Sequence, residues 1–334
     1  MASPNSTFTE IVTTTLRASK KKLVDNVTKN NALLTLMKES GNIKTDAGGG
    51  YEIQIPLSYA ENSTYQRFNG LDVLNIGQSE VLTSAKYDWQ QAAIHVVSSG
   101  RELRMNASEE KMISLANSRI DVAMATAANN MSIDIYSDGA LANQIGGLQS
   151  LVTSDGTGTV GGIVSGTYTF WKNKFTEVTG TGATFATLKT GMNSLWLQQV
   201  RGTDKPNLIV STHDFYSIYE GGLQDNQRYM DAKLASAGFE NLKYKSAPVI
   251  FDDNTNFGTT SEVMYFLNTK YLYLMEHPEA RWTEDDEKVP VNQDAVVIPM
   301  YWMGNLVTSN RSLQGKIIDA ADSQRRGEQS HGYD

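Results

Sequence analysis

The sequence predicts an α+β fold of two sub-domains, and three observations predict it. One long helical stripe runs from Asn106 to Gly139. Two strand-like alternations, at Tyr51–Leu57 and Val81–Val97, flank a long loop. A helix–strand–helix order then leads into an all-strand end. The chain has 334 residues, 40% of them apolar. That exceeds the roughly 250–300 residues at which a single core stops growing, so two sub-domains are expected.

Each element has its own signal. Residues 1–45 read as an arm with a short helix around Leu23–Met37, ended by Gly48, Gly49 and Gly50. In Tyr51–Leu57 the residues Tyr51, Ile53, Ile55 and Leu57 share one side, which marks a half-buried strand. Val81, Thr83, Ala85, Tyr87 and Trp89 step by two in its expected partner. Between the two lie residues 60–80, a long connection for a compact domain, with an Asn69-Gly70 turn signal. A two-stranded hairpin is marginal alone in water, so this one should find burial on its own body or on another subunit. Tyr65, Phe68 and Leu71 at its tip are apolar anchors of the kind interfaces use.

Asn106 and Glu109 make a capping-box-like start to the long helix. Met112, Ile113, Ala116, Ile120, Ala123, Met124, Ala127, Met131 and Ile135 form its apolar stripe, and Gly139 closes it. At about 1.5 Å per residue it spans ~45 Å, long enough for a structural spine. After Gly-rich loops from Asp138 to Gly166, a second helix is expected at Phe185–Arg201 and a buried strand at Leu208–Val210. Ser211 or Thr212 then caps a third helix carrying Phe215, Ile218 and Tyr219. Further strands are expected at Ala247–Phe251, Met264–Leu267, Tyr271–Met275 and Ala295–Thr308, the last packing near the spine helix. Asp319–Asp334 reads as a polar, loose tail.

Composition excludes several classes. There is no cysteine, hence no disulfide and no thiolate metal site. Net charge is −8, which disfavours sequence-specific nucleic-acid binding. The local exception is a basic arm, Arg17, Lys20, Lys21, Lys22 and Lys29, suited to a solvated helix face, a phosphate backbone or a neighbouring subunit. No apolar run is long enough to span a membrane.

Candidate chemistry is weak throughout. Gly156, Gly158 and Gly161 spell G-x-G-x-x-G, but strand-like residues follow where a dinucleotide site needs a helix, and no acidic residue follows at the required distance. His213-Asp214 resembles the central pair of a metal phosphohydrolase, yet only His95, His277 and His331 remain as further imidazoles. The dyad reads more simply as a helix start, where Asp suits the dipole. Glu284, Asp285, Asp286 and Glu287 lack the spacing of a calcium loop and read as a solvated turn or a charge contact across a symmetry axis. The expectation is no enzyme, no catalytic residue, no cofactor and no metal.

The element order resembles the tailed-bacteriophage major capsid fold, with its N-arm, E-loop, P-domain and A-domain. Leu23-Val24-Asp25-Asn26-Val27-Thr28-Lys29-Asn30-Asn31-Ala32-Leu33 and Ile145-Gly146-Gly147-Leu148-Gln149 are similar to segments of one family of phage major capsid proteins. So are Gly158-Thr159-Val160-Gly161-Gly162-Ile163 and Thr169-Phe170-Trp171-Lys172-Asn173. The resemblance covers nearly the whole chain and contains no catalytic motif. It implies an N-terminal arm at 1–47, the E-loop hairpin at 48–100, and the P-domain with its spine helix at 101–164. The A-domain would occupy 165–270, with return strands of the P-domain and the end of the A-domain at 271–318, and a flexible tail at 319–334.

The resemblance also implies function. The chain would form hexamers and pentamers of itself and close an icosahedral virion head, assembled in the host cytoplasm around non-specifically bound double-stranded DNA. A portal and decoration proteins would be further partners, with no membrane involved. Many such proteins carry a cleaved N-terminal scaffolding segment; only residues 1–50 precede the hairpin, so a separate scaffolding protein, or none, is expected. Interface candidates are Tyr65, Arg67, Phe68, Leu71, Glu284, Asp285 and Asp286. Some members lock the shell by a lysine–asparagine isopeptide bond, but residues 60–80 contain no lysine and only Arg67 as a basic group, so a non-covalent shell is expected. The rival readings are an encapsulin-like nanocompartment of the same fold and, from another class, a metal-dependent hydrolase.

Overall fold

The structure is a computed structural model that describes residues 32–45, 50–105, 109–178, 183–223, 241–252, 263–284 and 288–319. In chain order the main elements begin with helix α1 (Ala32–Glu39), β1 (Ile43–Thr45) and the hairpin strands β2 (Glu52–Ser58) and β3 (Leu82–Asp88). Next come β4 (Gln90–Ser99), the short α2 (Gly100–Met105) and the spine helix α3 (Glu109–Ile135). A single turn α4 (Leu148–Leu151) leads to the small strands β5 (Thr159–Val160) and β6 (Ile163–Val164), then to β7 (Lys174–Val178) and α5 (Phe185–Gln199). The chain continues through β8 (Leu208–Ser211), α6 (His213–Gly222), β9 (Asn241–Tyr244), β10 (Ala247–Phe251) and β11 (Val263–Leu267). It ends in β12 (Leu272–Glu284), β13 (Ala295–Thr308) and β14 (Gly315–Asp319).

Two larger sheets organise these elements. A four-stranded sheet has the order β1-β12-β13-β4, and a six-stranded sheet has the order β7-β14-β11-β8-β10-β9. Strands alternate their side chains between faces, and the six-stranded sheet uses both. Ile209, Val249, Met264, Phe266 and Ile317 point to one core with Leu188, Met192, Leu195 and Trp196 of α5 and Phe215 and Tyr219 of α6. Val210, Ile250, Val263, Tyr265 and Ile318 point to the other, shared with Ile135 and Tyr136 at the end of the spine and with Leu148, Leu151 and Trp171. Helix α5 starts with a reciprocal capping box between Thr184 and Thr187. The start of α6 differs from expectation: Thr212 holds the N-cap position without capping, because its hydroxyl bonds Val263 O across the sheet at 3.3 Å.

The spine lies on the four-stranded sheet, as its stripe implies. Ala123 meets Val96 and Met300, with Ile94, Ile120 and Ile298 packed around them. Arg119 reaches from the helix to Val97 O at 2.8 Å and to both carboxylate oxygens of Glu102 at 3.2 Å. That hydrogen bond holds the Glu102 carboxyl below its ordinary value. A depressed carboxylate stabilises the fold above its unfolded value and loses that contribution as pH falls through its folded value.

The stripe is not uniform. Ala127, Met131 and Ile135 are buried, but Met124 is 41% exposed, and Val122 beside it is similarly open. Met124 therefore does not belong to the core of the isolated subunit, contrary to the expectation from its spacing. The physical reason is that the sheet under this part of the helix covers only a narrow strip around Ala123. Tyr51 also departs from its pattern: it precedes β2 and is 93% exposed, while Ile53 and Leu57 are buried.

The difference between Met124 and Met131 is measurable. Met131→Asp places an unpaired carboxylate in the core and should lower stability by about 3–5 kcal/mol. Met124→Asp in the unassembled subunit should stay within about 0.5 kcal/mol. Thermal or denaturant unfolding of the two variants checks the pair, and equal effects would place Met124 in the core.

Candidate assembly surface

The hairpin arm has a buried root and an uncovered tip. At the root, Ile53, Leu57, Ala85 and Tyr87 are buried in the same cluster as Leu306 and Val307 of β13. Burial raises the Tyr87 phenol well above its ordinary value, and its hydroxyl donates to Thr308 O at 3.0 Å. Asn305 donates to Asp88 O at 2.8 Å and accepts from Gly146 N at 3.1 Å. The descending strand expected over Val81–Val97 is in fact two strands. β3 pairs with β2 in register Glu52↔Asp88 to Ser58↔Leu82, whereas β4 pairs with β13 from Gln90↔Gly304 to Ser99↔Ala295. The chain changes sheets at Trp89, whose indole N–H donates to Gly50 O. Unbroken alternation in the sequence concealed that break, because both strands keep the period of two.

The glycine motif rejected as a dinucleotide loop has a different task. Gly161 and Gly162 both lie at positive φ and form the two-residue turn of the β5–β6 hairpin. Gly161 O accepts from Lys86 N at 3.0 Å, so this small hairpin docks on the edge of β3. A Cβ at Gly161 would stand 2.9 Å from the Ala85 methyl, which is why a side chain cannot be accommodated there. Trp171 braces the hairpin from below, its indole N–H donating to Val160 O at 2.9 Å.

Arg311 closes the root. It is fully buried in the turn between β13 and β14, donating to Leu151 O, Thr157 O and Thr153 Oγ1 at 2.7–3.0 Å. Burial pushes its guanidinium down to about 10, still charged at neutral pH, and its Nη1 has no partner among the described residues.

Beyond the root, the segment between β2 and β3 is irregular yet internally bonded. Gln66 bonds Val73 O and Asn75 N, and Asn69 N donates to Asp72 Oδ2. Its apolar side chains face solvent: Tyr65 is 81% exposed and Leu71 100%, with Phe68, Val73 and Ile76 also uncovered. Arg67 is exposed among them. The sequence signal for Val73, Leu74 and Ile76 is the density of apolar residues in Leu71-Asp72-Val73-Leu74-Asn75-Ile76; Leu82 at the start of β3 carries no such signal. A groove of about 460 Å³ opens beside the arm, between β3 and the β5–β6 hairpin. Tyr59, Leu82, Tyr168 and Phe170 supply its apolar surface, and Glu80 and Lys86 are its charged groups. Lys86 is ion-paired with Glu52 at 3.3 Å and half exposed, far from the desolvated setting a nucleophilic lysine requires.

The remaining candidates are scattered. His213 and Asp214 are exposed at the start of α6, and His95 is exposed on β4. His277 packs edge-on against Trp89. Among the described residues no three His, Asp or Glu side chains gather to hold a metal, and no helix is long and apolar enough to cross a membrane. Glu284 ends β12 opposite Met300. Asp285, Asp286 and the basic arm Arg17, Lys20, Lys21, Lys22 and Lys29 lie outside the described residues, as do Asn106, His331 and residues 320–334. Asp319, which the sequence assigns to the loose tail, is instead the buried last residue of β14.

No protein-family model matches the sequence, and no curated protein matches it. Solved structures do. The capsid of cyanophage A-1(L) superposes with a TM-score of 0.63 at 15% identity, covering 88% of this chain and 94% of that one. The capsid of the Myoviridae phage XM1 gives 0.55 at 13% identity over 84% and 91% of the two chains. The capsid of an empty GTA particle gives 0.56 at 10% identity over 89% and 91%. The chain has the fold of a phage capsid subunit. At these identities the likeness is one of backbone architecture.

Arg311 offers a test of the root. Arg311→Met strands the carbonyls of Leu151 and Thr157, each worth about 1–3 kcal/mol when buried without a donor. Arg311→Lys should not rescue the loss, since one ammonium cannot reproduce the fork. A fall in melting temperature of both variants is the expected result.

Proposed function

We propose that this chain is the major capsid protein of a tailed phage, a structural subunit that forms hexamers and pentamers and closes an icosahedral head around double-stranded DNA. The observation that carries the reading is the hairpin arm of a capsid-type fold whose tip presents contiguous uncovered apolar side chains. Solvent-facing apolar patches of this kind mark interaction sites. An arm that reaches away from its own body makes a heterologous contact, and heterologous contacts that close by rotation give rings. In the domain terms of that fold, β2, β3 and their tip correspond to the E-loop, the four-stranded sheet and spine to the P-domain, and the six-stranded sheet with α5 and α6 to the A-domain. The protein then resides in the virion, assembles in the host cytoplasm, and contacts portal, decoration proteins and packaged DNA without enzymatic chemistry.

Negative-stain microscopy and light scattering of the purified protein test the proposal. Capsomers or shells are expected, and a clean monomer at every salt concentration, with the other head proteins present, would contradict it. Shells that enclose protein cargo and no DNA in the native particle would point to an encapsulin-like compartment instead.

The shell is held without covalent links. The tip has no lysine, and Lys86 is already engaged by Glu52. Mature particles boiled in detergent should release single chains. A ladder of covalent multimers that survives reductant would falsify this, with Lys86→Ala as the first variant to examine.

A further inference from the structure

The edge of a sheet presents unpaired N–H and C=O groups that can join another chain, and short length, charge or proline is the usual protection. The edges of this fold carry such protection, with one exception. β1 has 3 residues and Lys44, β7 has 5 with Lys174 and Glu177, and β9 has 4 with Lys243. On the arm, β2 carries Glu52 and Pro56, and β3 carries Lys86. β4, the outer strand of the four-stranded sheet, has 10 residues and no Lys, Arg, Asp, Glu or Pro.

The register fixes which groups of β4 face outward. Gly100 N donates to Asp294 O at 2.7 Å, and the unbroken pairing from Ser99↔Ala295 to Gln90↔Gly304 keeps that phase. Bonded and non-bonded pairs alternate in an antiparallel ladder, so even-numbered residues spend their backbone groups on β13 and odd-numbered ones turn theirs away. At one end the outward groups are met: Ser99 N donates to Glu102 Oε2 at 3.2 Å, and Val97 O accepts from Arg119 at 2.8 Å. Toward the other end, the backbone groups of Gln91, Ala93 and His95 have no partner among the described residues. Ile94 and Val96 pack toward the spine, so the side chains of Gln91, Ala93 and His95 lie on the opposite, exposed face.

We infer that this edge pairs with the same edge of a second copy of the chain, antiparallel about a two-fold axis at Ala93. A two-fold contact sets the same residues against each other, and β4 suits that: it has no charged side chain to oppose its own copy. In this register Ala93 meets its equivalent and Gln91 meets His95 in both directions, so each vacant N–H finds a vacant C=O. The small side chain of Ala93 stands at the axis, and Gln91 and His95 can hydrogen-bond beside it. The ladder is bounded on both sides. Val97, already engaged by Arg119, falls opposite Trp89, where the chain leaves the sheet. The contact does not depend on the arm. Within the capsid reading it is an isologous contact that closes on two copies and so joins one ring to the next.

The absence of cysteine allows a test with one substitution. Full-length Ala93→Cys protein is oxidised with copper phenanthroline. Directly paired Cα atoms about 5.5 Å apart are within disulfide reach, so a covalent dimer and nothing larger is expected on a non-reducing gel. Val97→Cys places its two copies roughly 27 Å apart at about 3.4 Å per residue and should give no dimer. No dimer from Ala93→Cys, a ladder, or an equal dimer from Val97→Cys would overturn the inference. Ala93→Lys and Ala93→Glu test it without a disulfide, since each sets like charges across the axis at a position already in solvent. In sedimentation velocity each alone should lose the linked species, and an equal mixture of the two should recover it; no loss, or no recovery, counts against the pairing. Slow amide exchange at Ala93 and His95 in monomeric protein would show the edge covered from within the chain and would also overturn it. Shells without the Ala93→Cys dimer leave the capsid reading intact, whereas that dimer from a protein that never forms shells overturns the capsid reading and keeps the pairing.

Discussion

Backbone pairing along Ala295–Thr308 is the interaction on which the rest of the molecule depends. One edge of this strand carries β12 and the other carries β4 over its whole upper length. Its last residues also hold the arm, through Asn305 to Asp88 and through Thr308 to Tyr87. One turn later the chain enters the second sheet as β14, paired on both sides by β11 and β7. A ladder of this kind costs chain entropy to form, because its partners are far apart in sequence, and the gain comes from joining three units at once.

The joint between those units is polar where a core would ordinarily be apolar. Arg311 is buried with its donors directed to the carbonyls of Leu151 and Thr157 and the hydroxyl of Thr153, while the Asp155 carboxylate acts on it only through space. Those carbonyls belong to the Gly-rich segment that has little regular pairing of its own, and a buried C=O without a donor is costly. The guanidinium therefore substitutes for missing secondary structure. The same loop then presents the β5–β6 hairpin to the arm, so the charge at the joint, the glycine turn and the arm's orientation form one connected construction.

The arm divides its burial between two environments. Its root is part of the subunit's core, and its tip is left to whatever covers it outside the subunit. On the proposed capsid reading, the root gives rigidity and the tip holds apolar area for association to remove from water. The exposure of Met124 and Val122 on the spine belongs to the same pattern, an apolar surface that the isolated chain does not bury.

Local periodicity determined much of this protein. The spine helix, the α5 stripe, β8, β10, β11 and β13 follow from spacing, because helices and strands impose periods that apolar residues must match. The sequence also marked Tyr65, Phe68 and Leu71 as apolar anchors, but it left open whether the subunit's own body covers them, and their exposure came from the structure. What only the tertiary structure decided were the partners. Nothing in the alternation of Val81–Val97 marks Trp89 as the point where one sheet ends and another begins, for pairing is set by a strand distant in sequence. Nor does the spacing of Met124 differ from that of Met131; the difference is that Met131 falls within the main core cluster, together with residues of α1 and of the four-stranded sheet, and Met124 does not. The glycines of 156–162 show the same limit: their need for positive φ is written in the residue type, whereas the Ala85 methyl that forbids a side chain at Gly161 is supplied by the packing of a strand more than seventy residues away.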